Sequence, residues 1–301
     1  MKHVKCVRHA PLYIIHCTFI LSMTKRLFIL MLMFVFAILN KAHGMTTSKT
    51  CNENLRDSMH IVLLGDSNTW LGGDDCTNKR GWNTWFAQSF PHASCVSYAR
   101  SGATWTNTRR TTRNLTENVG RISDNNVIYN QVCRLIAACR NKQQAIPQLI
   151  IVAAGTNDAW FENKRPQAFS IQNATQLKTM PNHSLPDLPH TFPLSLAASV
   201  QYDCLLLKKH FPQTRIILFT PLQTTAVSEN KIAQTGNIIE QVGHTLNLDV
   251  VRQDKICCVK RTEELKHFTN TYDGTHTNEQ GAQKNGIILA NTVAKLLKGG
   301  S

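Results

Sequence analysis

Four short stretches of this sequence carry the side chains most suited to covalent chemistry. "GDS" contains Ser67, and "DGTH" near the C-terminus places Asp273 three residues before His276. "SGAT" and "GTND" contain Gly102 and Asn157. A serine hydroxyl is a weak nucleophile until a base takes its proton, and imidazole, with a pKa near ~6.5, suits that task at neutral pH. These residue types therefore indicate nucleophilic catalysis at a polarised carbon.

The elements that would position these groups follow from the apolar pattern. Short apolar runs rich in β-branched residues predict five strands, at His60–Leu64, Ser94–Tyr98, Leu149–Ala154, Arg215–Thr220 and Asp249–Val251. Longer amphipathic segments between and after them predict helices at Trp82–Ser89, Val127–Arg140, Leu194–His210, Glu229–Leu246 and Asn278–Leu297. This alternation predicts an α/β sandwich with a parallel sheet.

Three of the four stretches lie directly after predicted strands. Ser67 follows the first strand, Gly102 the second and Asn157 the third, while Asp273 and His276 precede the last helix. Sites in parallel α/β folds form at the carboxyl edge of the strands. We therefore expect these residues to converge on one edge of the sheet.

The four stretches, in this order, resemble the blocks of the SGNH (GDSL-type) hydrolases. The resemblance covers residues 58–298, and Thr277 stands where many members have proline after the histidine. It implies a flavodoxin-like three-layer α/β/α sandwich with a central, mainly parallel five-stranded sheet. It also implies a serine ester hydrolase that works through an acyl-enzyme and needs no metal or organic cofactor.

The resemblance assigns roles that agree with the chemistry of the residues. Ser67 is the expected nucleophile, His276 the base, and Asp273 the carboxylate that orients the imidazole. The backbone amides of Ser67 and Gly102 and the side-chain amide of Asn157 are the expected oxyanion-hole donors. Asp66 is either an orienting residue or a turn residue that satisfies local backbone donors, and we favour the turn interpretation.

The substrate is open between several classes. The "GDSNTW" continuation resembles exported bacterial members, some of which act on acylated glycans, so we expect a small acylated molecule or glycan with short acyl groups such as acetyl. A lipase or lysophospholipase acting on longer chains and a non-catalytic glycan-binding module are the alternatives. A tryptophan follows three positions after each of the first three block residues, which predicts substrate contacts from Trp70, Trp105 and Trp160 unless each indole packs beneath its own loop.

A long irregular segment follows the third block. Residues 161–193 are rich in proline toward their end and predict no regular structure. Long loops near a catalytic edge often shape substrate choice. We expect this segment to form one wall of the cleft.

The N-terminal region differs from the rest. Residues 1–44 contain six basic and no acidic residues, and the 23–44 part carries the apolar run Leu27–Leu39. A basic start, a short apolar core and the small-residue exit Ala42-His43-Gly44 predict a secretory signal peptide, starting at Met1 or Met23, with an uncleaved anchor as the alternative. Residues 45–301 then form a single secreted or periplasmic domain with no stable membrane span.

Charge and cysteine content narrow the partners further. Residues 45–301 have 27 basic and 19 acidic residues, a net charge of +8 spread along the chain, so we expect no nucleic-acid partner. Their eight cysteines permit disulfides in an exported protein but include no CxxC pair or zinc pattern. The disulfide pairing and the oligomeric state stay open.

Overall fold

The computed structural model describes residues 59–116, 122–165, 167–170 and 195–299. The predicted leader at 1–44 and most of the 161–193 segment lie outside these residues. The described part forms a five-stranded, all-parallel sheet of order β2-β1-β3-β4-β5. The strands are β1 His60–Gly65, β2 Ser94–Ser97, β3 Leu149–Ala153, β4 Arg215–Phe219 and β5 Asp249–Val251.

The helices flank this sheet in the order that the sequence predicts. They are α1 Ser67–Trp70, α2 Trp82–Gln88, α3 Ile128–Arg140, α4 Thr156–Trp160, α5 Leu196–His210, α6 Glu229–Thr245, α7 Gln253–Ile256, α8 Arg261–Glu264 and α9 Glu279–Lys298. The five long predicted helices correspond to α2, α3, α5, α6 and α9, with ends that differ by at most two residues. The α/β prediction is confirmed.

Alternate residues of the strands face opposite sides of the sheet, and each side has its own apolar core. Val62 and Leu64 of β1 pack with α3, α5 and α6, whereas Ile61 and Leu63 pack with α2 and α9. All four side chains are at most 1% exposed, as expected for a strand covered on both faces. The molecule therefore has three layers, helices, sheet and helices.

The strand order creates the edge at which the site forms. β1 pairs with β2 on one side and with β3 on the other. The chain therefore first moves from β1 to one side of the sheet and then crosses to the other side to form β3. Gly65 at the end of β1 is level with Ala153 at the end of β3. In open α/β sheets this switch point leaves a crevice beyond the carboxyl ends of the strands. No helix in the described ranges is long and apolar enough to span a bilayer.

Candidate active site

Ser67 is held at the start of a short helix directly after β1. Gly65 is required there, because a side chain at this position would collide with the Ala153 carbonyl oxygen at 2.6 Å. Asp66 caps α1 by accepting a hydrogen bond from the Asn68 N–H at 3.1 Å. The chain therefore changes from strand to helix within two residues, which places the Ser67 hydroxyl at the carboxyl end of β1.

Ser67, His276 and Asp273 form a continuous hydrogen-bonded chain. His276 Nε2 lies 2.9 Å from Ser67 Oγ, and His276 Nδ1 lies 2.7 Å from Asp273 Oδ2. With the Nδ1 proton held by the carboxylate, Nε2 is left as an acceptor for the serine proton. The structure thus brings these three residues together, although 206 positions separate Ser67 from Asp273.

The loop that carries His276 is organised around the Asp273 carboxylate. Asp273 Oδ1 accepts the backbone N–H groups of Thr275 at 2.9 Å and His276 at 2.7 Å. Partial burial opposes the charge of Asp273, but hydrogen bonds from His276 and Thr275 outweigh it and lower the pKa of this carboxyl. The carboxylate is therefore kept ionised and fixes both the loop and the imidazole.

Each of the three expected oxyanion-hole donors has a structural feature that suits this role. Ser67 begins α1, so its backbone N–H has no acceptor within the helix. Gly102 has a φ of +71°, a left-handed conformation that glycine adopts without strain. The Asn157 side-chain amide donates one hydrogen to the Ala103 carbonyl at 2.9 Å, which leaves its second hydrogen for a ligand.

A buried carboxylate that the sequence analysis missed ties two of these donors together. Asp158 is completely buried and accepts the N–H groups of Trp105 at 3.0 Å and Thr106 at 2.9 Å, together with the Thr106 hydroxyl at 2.8 Å. Asp158 follows Asn157, and Trp105 lies three residues after Gly102, so this residue connects the second and third blocks. Burial raises its pKa, and these hydrogen bonds oppose that rise.

A second missed residue connects the nucleophile to the histidine loop. The Asn68 side chain donates to the Thr275 carbonyl and accepts the Thr277 N–H, both at 3.3 Å. The Thr277 hydroxyl donates to the Arg80 carbonyl at 3.0 Å. This use of Thr277 shows why a residue other than proline is suitable after His276.

An aromatic stack also lies against His276. The Tyr272 ring is nearly parallel to the imidazole, with ring centroids 5.7 Å apart. The Arg80 guanidinium lies 4.6 Å from the Tyr272 ring centroid. Tyr272 was not predicted as a site residue, although it occupies the position just before Asp273.

The three predicted tryptophans do not share one environment. Trp105 is completely buried in the core with α3, so the prediction that it contacts substrate is wrong. The backbone of its loop donates hydrogen bonds to the buried Asp158, and the indole packs in the core beneath this loop. Trp70 is half-buried and Trp160 is 44% exposed, so these two indoles stay available to a ligand.

Asp66 behaves as the turn residue that the sequence favours. Its side chain caps α1 and has no hydrogen bond to His276. Burial raises the pKa of Asp66 to about 6, partly offset by the Asn68 N–H. The orienting carboxylate of the site is therefore Asp273.

Metal ligation is not evident at this edge. Across the described ranges, no three His, Cys, Asp or Glu side chains are grouped so that they could hold a metal ion. The arrangement instead supplies a nucleophile, a base and several N–H donors.

Comparisons with known proteins relate this chain to one family and one fold. Residues 63–284 match the GDSL-like lipase/acylhydrolase family. A possible lipase from Chitinophaga pinensis superposes with a TM-score of 0.50 at 15% identity, covering 79% of this chain and 98% of its own. A GDSL-like lipase from Parabacteroides merdae gives 0.49 at 14% identity, covering 78% of this chain and 95% of its own.

A further solved structure gives a TM-score of 0.54 at 14% identity, with 79% of this chain and 97% of its own covered. At these identities the two structures with TM-scores of 0.50 and 0.54 support the fold alone. No curated protein matches the sequence significantly. Because the family match covers more than half of the chain, this protein belongs to the GDSL-like lipase/acylhydrolase family.

Proposed function

We propose that this protein is a serine ester hydrolase that works through an acyl-enzyme. The observation that carries the proposal is the hydrogen-bonded chain from Asp273 through His276 to Ser67, with distances of 2.7 and 2.9 Å. A binding module needs no such alignment of carboxylate, imidazole and hydroxyl. The family assignment supports the same conclusion.

The reaction follows from the positions of these atoms. Ser67 Oγ attacks the ester carbonyl carbon while His276 Nε2 takes its proton. The carbonyl oxygen becomes an oxyanion that accepts hydrogen bonds from Ser67 N–H, Gly102 N–H and the Asn157 amide. The C–O bond then breaks, His276 gives its proton to the leaving alcohol, and the acyl group stays on Ser67.

Hydrolysis of the acyl-enzyme repeats these steps with water. His276 takes a proton from water, the hydroxide attacks the acyl carbon, and Ser67 leaves with the proton returned by His276. Each oxyanion donor contributes about 3–4 kcal/mol to transition-state stabilisation in comparable sites. Hydrogen bonds from the three proposed donors should therefore account for a large part of the rate enhancement.

The proposed substrate is a carbohydrate that carries short acyl groups, such as acetyl. Two exposed aromatic rings support this proposal, because Tyr272 stacks on His276 and Trp160 lies in α4, three positions after Asn157. Such faces suit the apolar surface of a sugar ring, and the indole N–H can donate to a hydroxyl. The alternative is a lipase that acts on longer acyl chains, and a series of esters of increasing chain length distinguishes the two.

The test is hydrolysis of nitrophenyl esters from acetate to decanoate by the wild type, Ser67→Ala and Ser89→Ala. Ser89 is a matched control, because its hydroxyl donates only to the Trp85 carbonyl at the end of α2. We expect highest activity on acetate, loss in Ser67→Ala and no change in Ser89→Ala. A rate that rises with chain length would favour a lipase, since each buried methylene contributes about 0.8 kcal/mol. Wild-type activity retained in Ser67→Ala would refute the serine mechanism.

We also propose that the protein is exported and that residues 1–44 are removed. The support is the short apolar run Leu27–Leu39 after Lys25 and Arg26. N-terminal sequencing of the protein from expressing cells should begin at Met45. A start at Met1 or Met23 in the mature protein would contradict cleavage.

A further inference from the structure

A second cavity is formed by the chain segments that continue from the oxyanion-hole residues. Its volume is about 340 Å³. One wall is formed by residues that come after the Gly102 loop in the sequence. The other is formed by residues that come after α4, the helix that carries Asn157. Its lining includes Asn107, Arg109, Arg110, Asp124, Lys164 and Arg165.

Two polar groups in this lining are buried without a partner. Asn107 is 7% exposed, and its Oδ1 has no hydrogen-bond partner among the described residues. The Arg165 Nε is also buried and unpartnered there. Buried polar groups are normally satisfied, so an unpaired acceptor and an unpaired donor in one cavity indicate a ligand that offers both.

The cavity has a strong positive balance. Four lining residues are basic and one, Asp124, is acidic, which gives a net charge of +3. Asp158 also lies near Arg165, but its oxygens already accept hydrogen bonds from Trp105 and Thr106. Asp158 therefore offsets part of the charge of Arg165, but the lining itself keeps an excess of three positive charges, and Arg is well suited to carboxylates.

The Asp158 hydrogen bonds link the two chain segments that lead to this cavity. They join the loop at Trp105 and Thr106 to α4. Asn107 follows directly on one side and Arg165 follows five residues after Trp160 on the other. We expect a polymeric substrate bound at Ser67 to extend along these two segments toward the cavity.

We propose that the cavity is a subsite for a negatively charged sugar unit of the acylated carbohydrate, namely a hexuronate. Its carboxylate accepts from Arg165 and the neighbouring basic side chains, and an adjacent hydroxyl donates to Asn107 Oδ1. This inference rests on the proposed function, because it specifies which acylated carbohydrate the serine site acts on.

The test compares three substrates, an O-acetylated oligosaccharide containing hexuronate, the same molecule with its carboxyl group reduced to an alcohol, and nitrophenyl acetate. We expect Arg165→Gln and Asn107→Ala to lower kcat/KM at least tenfold on the acidic oligosaccharide. In Arg165→Gln the other two substrates should change less than twofold. Asn107→Ala also loses its contact with the hydroxyl of the reduced oligosaccharide, so in this variant only nitrophenyl acetate should change less than twofold. Normal turnover of nitrophenyl acetate also shows that both variants fold. Arg140→Gln, an exposed basic residue at the end of α3, is the matched control and should change none of them.

A binding measurement separates failure of the subsite from failure of the serine mechanism. Calorimetric titration of Ser67→Ala with the unacetylated acidic oligosaccharide should show binding that Arg165→Gln weakens at least tenfold. The subsite proposal would be overturned if the wild type had the same kcat/KM on the acidic and the reduced oligosaccharides, or if Arg165→Gln left the binding affinity unchanged. Loss of Ser67-dependent turnover on every ester would overturn the proposed function, while the titration would still judge the subsite.

An independent observation concerns two cysteines. Cys76 Sγ lies 3.5 Å from Cys95 Sγ, although both are present as thiols. Cys76 belongs to the loop after α1, and Cys95 is on β2. We propose that this pair is a disulfide in the exported protein and attaches the loop after the nucleophile helix to the sheet.

The bond forms by loss of two protons and two electrons from the thiols to an external disulfide, such as oxidised glutathione, which becomes two thiols. After such treatment, a non-reducing peptide map should show Cys76 joined to Cys95, with a mass lower by two hydrogen atoms. The melting temperature should fall on reduction in the wild type and not in Cys95→Ser. Free alkylation of both cysteines in the oxidised, unfolded protein would overturn the proposal.

Discussion

The substitution Asp158→Asn tests whether a buried carboxylate holds the oxyanion donors in place. Asp158 accepts three hydrogen bonds, from Trp105 N–H, Thr106 N–H and the Thr106 hydroxyl, at 2.8–3.0 Å. Asparagine has almost the same shape but replaces one acceptor oxygen by an NH₂ donor. Whichever way the amide turns, its NH₂ faces a backbone N–H.

The size of the effect follows from these contacts. The variant loses at least one charge-assisted hydrogen bond, which contributes about 1.5–3 kcal/mol, and leaves a buried N–H without an acceptor at a cost of about 1–3 kcal/mol. Some relaxation of the loop reduces the sum, so we expect a loss of about 2–4 kcal/mol in the free energy of unfolding. Displacement of the Gly102 loop should also lower kcat/KM by about 10–100-fold, since small misplacements of catalytic groups have effects of this size.

A second buried aspartate provides the matched control. Asp203 on α5 is 2% exposed, and its Oδ2 has no partner among the described residues. Burial and the nearby Asp158 raise the pKa of Asp203 well above its usual range. The folded protein then keeps a proton that the unfolded chain releases above pH ~4, so this carboxyl lowers stability as the pH rises. Asp203→Asn should therefore raise the free energy of unfolding at pH 7.

The assay is urea unfolding and ester hydrolysis on both variants at pH 5 and pH 7. We expect opposite signs, with Asp158→Asn destabilised and less active and Asp203→Asn equal or more stable with unchanged activity. If Asp158→Asn were as stable and active as the wild type, the proposed role of this carboxylate would be refuted. Destabilisation of equal size in both variants would show that burial alone, rather than the hydrogen bonds, determines the result.

Other predictions concern single positions at the same edge. Gly102→Ala should lower kcat/KM by about 10–100-fold, because alanine is strained at φ +71° and its Cβ would lie 2.9 Å from Ile122; normal kinetics would contradict the role of the Gly102 amide. Trp105→Ala should cost about 3–5 kcal/mol in unfolding by urea, whereas the exposed Trp160→Ala should cost little but weaken carbohydrate binding, and equal stability losses would disprove this distinction. The pKa of about 6 for Asp66 predicts that the free energy of unfolding falls as the pH rises from about 4 to about 6, by up to ~3 kcal/mol. Asp66→Asn should remove this slope, and an unchanged slope in the variant would show another source.

The sequence was sufficient to predict the frame and the convergence of the site. The fully apolar stretch that ends at Leu64 is typical of a strand covered on both faces, and both faces are covered. Since the carboxyl ends of parallel strands share one edge, the order of the blocks predicted that their loops would meet there, and Asn157 does contact Ala103, which follows Gly102. Strand and helix ends were accurate because glycine, proline and polar residues interrupt the apolar pattern there.

The contacts that support the site were beyond sequence reasoning. Asp158 is adjacent to Asn157 and resembles any acidic residue in the first turn of a helix, yet its partners lie 52 and 53 positions away. Trp105 has the same spacing as Trp70 and Trp160, but it is buried in a loop whose backbone donates hydrogen bonds to Asp158. Such differences depend on how two loops pack against each other, which periodicity and spacing do not encode.

The most direct test of the central claim is to identify the residue that a serine-directed fluorophosphonate modifies. The reagent forms a covalent bond to an activated hydroxyl oxygen with loss of fluoride, and peptide mass spectrometry locates the adduct. The geometry predicts one adduct on Ser67, none in Ser67→Ala, and strongly slowed labelling in His276→Ala. Labelling at another residue, or labelling that persists unchanged in Ser67→Ala, would contradict the assignment of Ser67 as the nucleophile.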